Sequence, residues 1–97
     1  MQRQGDLLFV AVDEIPQDAV IDDSGIIARG EVTGHTHRIR AGQQAALMLA
    51  AGMAYVRANR ETVIEHEEHA EVILPPGLFI VKRQREYRPE GWVRVAD

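Results

Sequence analysis

The chain has no cysteine among its 97 residues. That excludes a disulfide framework, a thiolate-bound zinc and a thiol redox pair, and a small domain without disulfide staples suits a reducing compartment. Long hydrophobic runs are missing as well. The opening MQRQGD has none of the apolar character of a signal peptide, and no segment is long enough to cross a bilayer. A cytoplasmic protein with no membrane contact is the expectation. No repeat, linker or low-complexity tract is present, so a single β domain over residues 1–97 is expected, near the lower size limit for a self-sufficient core. An excess of positive charge is also lacking. A net charge of −4 and a pI of about 5.5 argue against a general nucleic-acid coat protein.

What is present points to an ordinary globular chain, 45% apolar and 27% charged, which excludes disorder and a coiled coil. The run Leu7–Val12, LLFVAV, has the length and content of a strand buried on both faces. Asp22-Asp23-Ser24-Gly25 is a turn signal, because Asx side chains favour the turn and glycine accepts positive φ. Ala45–Ala51 is apolar and short, and Gly52 closes it before Met53–Arg57, so a hairpin is expected there. Pro75-Pro76-Gly77 is the strongest turn. Leu78–Tyr87 reads as the longest strand, with Phe79, Val81, Arg83, Arg85 and Tyr87 on one face. Eight or nine short strands at this spacing predict an all-β fold, a small antiparallel β-barrel or sandwich.

Charge is segregated along the chain. Asp13, Glu14, Asp18, Asp22 and Asp23 form one acidic stretch, and Glu61, Glu65, Glu67, Glu68 and Glu71 a second. Lys82, Arg83, Arg85, Arg88 and Arg94 make the last segment basic. Such charges can line opposite walls of one cleft, cover opposite surfaces of a self-associating subunit, or simply be solvated strand faces.

All four histidines fall in two short runs, His35/His37 in GHTH and His66/His69 in EHEEHA. Alternate residues of a strand share a face about 6.6 Å apart, so His35 and His37 can converge on one ion. Residues i and i+3 share a face only in a helical turn, so His66 and His69 require a tight turn between the strands Thr62–Ile64 and Val72–Leu74. Folding that turn over the first pair gives three or four imidazoles, the ligand set for zinc, iron, nickel or copper. Glu65, Glu67 or Glu68 is then placed to act as carboxylate ligand, as acceptor to a ligand imidazole, or as general base.

Gly30-x4-His35-x-His37, followed downstream by Leu74-Pro75-Pro76-Gly77, resembles the cupin signature. The resemblance implies a small β-barrel with a histidine-bound metal. Arg40-Ala41-Gly42 stands where the cupin glutamate ligand would lie, so His66 or His69 would supply the remaining ligand from before the turn. GEVTGHTH, HEEHAEVILPPG and RQREY together are also similar to small bacterial proteins of unassigned function, over most of the chain, which implies no activity.

Three functions stay open on these residues. The first is a metal-binding β protein, with His35, His37 and His69 (or His66) holding an ion that polarises a substrate or activates water. The second is a metal-independent ribonuclease or phosphodiesterase, in which histidines and Glu68 or Glu65 move protons, Arg85 with Arg83 stabilises the phosphorane, and Tyr87 stacks on an RNA base. The third is a non-enzymatic assembly subunit, a homo-oligomer or the recogniser of a protein partner.

Overall fold

A computed structural model describes residues 1–30, 34–88 and 91–94, with side chains described as far as residue 84. The described residues form twelve short strands and no helix: β1 (Gln2–Gln4), β2 (Leu7–Val12), β3 (Val20–Asp22), β4 (Ile26–Arg29), β5 (Thr36–Ile39), β6 (Ala45–Ala50), β7 (Met53–Ala58), β8 (Thr62–Glu65), β9 (Val72–Leu74), β10 (Gly77–Arg83), β11 (Arg85–Arg88) and β12 (Gly91–Arg94). They pair antiparallel in three sheets. Six strands lie in the order β1-β2-β10-β7-β6-β3, four in the order β4-β5-β8-β9, and β11 pairs with β12 alone. The all-β expectation is therefore met, as an open sandwich. The cupin-like closed barrel is not formed, because the six-stranded sheet ends at β1 on one side and β3 on the other.

The core lies between the two larger sheets. Leu7, Phe9, Val56, Ala58, Phe79 and Val81 from the six-stranded sheet meet Ile64 and Leu74 from the four-stranded one. Full burial of each large side chain contributes about 1.5–3 kcal/mol. The strand alternation follows from this one-sided burial. In β2, Leu7 and Phe9 are buried while Leu8, Val10 and Val12 are only half-buried and Ala11 is exposed. The expectation of a strand buried on both faces is thus corrected: β2 is internal to its sheet, but one of its faces stays close to solvent.

Local chemistry sets the connections. The β6–β7 hairpin turns on Ala51 and Gly52, both with positive φ (49° and 76°), closing on the Ala50–Met53 pair. Two such residues in succession match the right-handed twist of the flanking strands. At the β3–β4 turn, Asp22 Oδ1 accepts from the Ser24 amide (2.9 Å) and Ser24 Oγ from the Ile26 amide (3.1 Å). This turn carries the chain from the edge of the six-stranded sheet to the edge of the four-stranded one. On the other side of the sandwich β1 packs near β9.

The single strand expected over Leu78–Tyr87 is two. β10 ends at Arg83, having paired with β2 and β7, and the Gln84 amide leaves the ladder to donate to the Asp6 carbonyl (2.7 Å). Among the described residues β11 then pairs with β12 alone, Arg85 opposite Arg94 and Tyr87 opposite Trp92. Arg83 and Arg85 consequently belong to different sheets.

Two outcomes test this account. Phe9→Ala, which empties a fully buried position, is expected to cost about 3–5 kcal/mol in denaturant unfolding. Asp22 is held below its ordinary carboxyl value of 3.8 by its hydrogen bonds to Ser24. Its contribution to the turn is complete above that ordinary value and is lost as the pH falls through the depressed one. The Ser24 and Ile26 amide resonances should titrate in that acid window, and in Asp22→Asn they should not.

Candidate functional site

β5 sends His37 and Ile39 toward the core and Thr36 and Arg38 away from it. His37 is fully buried. β8 ends at Glu65, and the chain then folds into the tight turn that the i, i+3 spacing of His66 and His69 requires. Inside that turn His66 Nδ1 accepts from the backbone amides of Glu68 (3.0 Å) and His69 (3.2 Å). An imidazole nitrogen that accepts is unprotonated, so neutral His66 carries its proton on Nε2. Glu67 fastens the turn to β5, taking the Thr36 amide (2.9 Å) and hydroxyl (3.1 Å). Chiefly because of the Thr36 amide, the Glu67 carboxyl is pushed down to about 2.

The two histidine pairs meet. His66 stands 4.4 Å from His37, 4.5 Å from His69 and 5.5 Å from His35, ring centre to ring centre. His37 and His69 lie 6.3 Å apart with nearly parallel planes.

Behind the rings lies a buried polar layer. Gln4 Nε2 donates to the carbonyls of Ile64 and Ala70, both at 3.0 Å. Two carbonyl acceptors fix the amide group, so Gln4 Oε1 is what faces His37 Nδ1 at 2.9 Å, and that nitrogen must carry a proton. His37 Nε2 points the other way, 3.5 Å from Asp6 Oδ1. Asp6 is itself buried, and its second oxygen, Oδ2, pairs with Arg83 Nε at 3.2 Å. Asp6 Oδ1, His35 Nδ1, His37 Nε2 and His66 Nε2 are all sealed from solvent.

This arrangement has part of the geometry of a metal centre. Imidazoles bound to one ion at 2.0–2.1 Å have ring centres roughly 4.5 Å apart when their bonds are perpendicular and roughly 6.4 Å apart when opposite. The His37–His69 spacing falls at the second value. The His37–Gln4 hydrogen bond is the kind that fixes the tautomer of a ligand histidine. Among the described residues, however, no three His, Asp or Glu side chains form a group ready to hold a metal ion. The rings are gathered, but their donor atoms do not converge on one point.

Of the residues singled out by sequence, His35, His37, His66 and His69 come together. Glu68 stands at the rim, 66% exposed, with Oε1 3.7 Å from His35 Nδ1. Glu65 is turned to the outer face of the sheet, where it accepts from Arg38 Nε and Arg40 Nε, each at 3.1 Å. Arg40 also pairs with Glu71. Arg83 is held by Asp6 and the Arg29 carbonyl, so it is committed inside the protein rather than offered to a phosphate. The side chains of Arg85 and Tyr87 lie outside the described residues. Sequence reading missed Gln4 and Asp6. Their one signal is that two polar residues at alternate positions precede the apolar run Leu7–Val12.

A family model described as Domain of unknown function (DUF8820) matches residues 3–84. No curated protein and no solved structure matches the chain. Among the described residues no helix is long and apolar enough to cross a membrane.

Gln4→Leu keeps the size of the side chain but removes partners from two carbonyls and one imidazole N–H. It is expected to lower stability by about 2–4 kcal/mol in urea unfolding. A loss well below about 1 kcal/mol would show that water replaces the amide at no cost.

Proposed function

Because the chain belongs to the DUF8820 family, whose description assigns no activity, we propose a function from the chemistry of the site: it binds a divalent transition metal ion. The ligands are drawn from His37 and Asp6, with His35 and His69 rotating in to complete the set. The observation that carries this reading is the buried His37–Asp6 pair. With its proton fixed on Nδ1 by Gln4, a neutral His37 presents a lone pair to a carboxylate oxygen 3.5 Å away. A ring nitrogen and a carboxylate oxygen this close are two donors that one cation can bridge. A proton is one such cation. A metal ion is another, and it also gives the surrounding imidazoles a common partner.

His66 is left out of the ligand set. Its Nδ1 is occupied by two backbone amides, and Nε2 could bind a metal only by losing the ring's remaining proton. Its part is to hold the turn in shape beside the ligands. A bound ion would polarise a substrate or lower the pKa of a bound water, and Glu68, at the rim beside His35, is a carboxylate placed to exchange a proton with it.

Protein purified without a histidine tag should carry or take up about one equivalent of zinc, nickel or copper, read by elemental analysis and titration. Asp6→Asn and His37→Ala should abolish uptake. Because both positions are buried, His69→Ala is the informative third variant: it should keep the native melting temperature and bind about 10- to 100-fold more weakly. Less than about a tenth of an equivalent, with no uptake on titration, would leave the proton as the cation between Asp6 and His37 and end the metal reading.

A further inference from the structure

Away from the histidines, a recess opens between the β3–β4 turn and the β5–β6 turn. It encloses about 520 Å³, within the roughly 300–1,000 Å³ common for small-molecule sites. Its walls differ in sign. Asp22 and Asp23 come from one turn; Arg38 from β5 and Arg40 just after it stand opposite, with Glu65 of β8 paired to both. Apolar surface from Ile21, Ile39 and Leu47 also lines it.

The opposed charges do not close on each other. Among the described residues Asp22 and Asp23 form no ion pair, and Arg38 meets no carboxylate but Glu65, through Nε. A guanidinium has four further N–H groups beyond Nε, so Arg38 keeps donors for a second anion. Asp22 spends Oδ1 on the Ser24 amide, and Asp23 is exposed. A ligand of one charge would be attracted by one wall and repelled by the other. A ligand carrying both charges is attracted by both.

We propose that this cleft binds a small zwitterion with an apolar body, about the size of a free dipeptide. The ammonium group faces Asp22 and Asp23, the carboxylate faces Arg38, and the apolar body covers Ile39 and Leu47. Arg38 and Glu65 also line the recess that reaches His66, so an occupant of the cleft shares a wall with the histidine site. The proposal does not depend on a metal being bound there.

The test is an amide chemical-shift titration of the protein with Leu-Leu, N-acetyl-Leu-Leu and Leu-Leu-amide. Leu-Leu should give saturable shifts at Ser24, Gly25 and Gly42 in the low-millimolar range, and each blocked peptide should bind about tenfold more weakly. Arg38→Gln should weaken Leu-Leu about tenfold but leave Leu-Leu-amide unchanged, and Asp23→Asn should do the same for Leu-Leu and N-acetyl-Leu-Leu. Both residues lie at the surface, so unchanged melting temperatures will separate lost binding from lost folding. Shifts that never saturate would overturn the proposal, as would blocked peptides that bind as tightly as the free one.

Discussion

The site depends on one buried polar knot, in which Gln4 and Asp6 grip opposite nitrogens of His37. Burying a glutamine, a carboxylate and an imidazole together is costly unless they satisfy one another. Gln4 does so through both ends of its amide, and Asp6 through Arg83 on one of its oxygens. The knot joins what apolar packing leaves undefined. Leu7, Phe9, Ile64 and Leu74 would tolerate small slips between the sheets, whereas a fixed amide facing two carbonyls and a ring nitrogen tolerates none. The result is a sandwich fastened on one side by the Asp22–Gly25 turn and on the other by Gln4.

The knot also determines which nitrogens do chemistry. Neutral His37 has its proton on Nδ1 and neutral His66 on Nε2, each for a local reason: a glutamine oxygen in one case, a pair of backbone amides in the other. Four imidazoles that look equivalent in sequence are thereby unequal in the fold. His37 is a buried base beside a carboxylate, His66 a brace within its turn, and His35 and His69 the two remaining half-buried members. The arginines divide in the same way. Arg83 serves the interior, Arg40 is taken by two carboxylates, and Arg38 retains donors on the surface.

Much of this was legible because it is local. Alternation and turn residues identified the β class, the Ala45–Arg57 hairpin and the turn at Asp22–Gly25. The HxH and HxxH spacings carried enough geometry to place the rings together. What was not legible depends on partners distant in the chain. Gln4 and Asp6 are ordinary polar residues until β1 comes to rest beside β9. The strand expected through Gln84 breaks because its amide bonds to Asp6, which no run of neighbouring residues announces. The choice of an open sandwich over a closed barrel lay in the pairing of β1 and β3, and strand content is the same for both.

Gln4 reaches across 60 positions to the Ile64 carbonyl and across 66 to that of Ala70, and Asp6 waits for Arg83. During synthesis the early strands must therefore leave the ribosome and remain unfinished until the late ones follow. Pairings this distant place the chain among slow-folding β proteins. A nascent fragment already containing His35, His37, His66 and His69 still lacks the arginine that holds Asp6 in place. The finished centre thus requires the chain at least as far as Arg83, and a fragment ending before it would display histidines without the buried carboxylate held in position to use them.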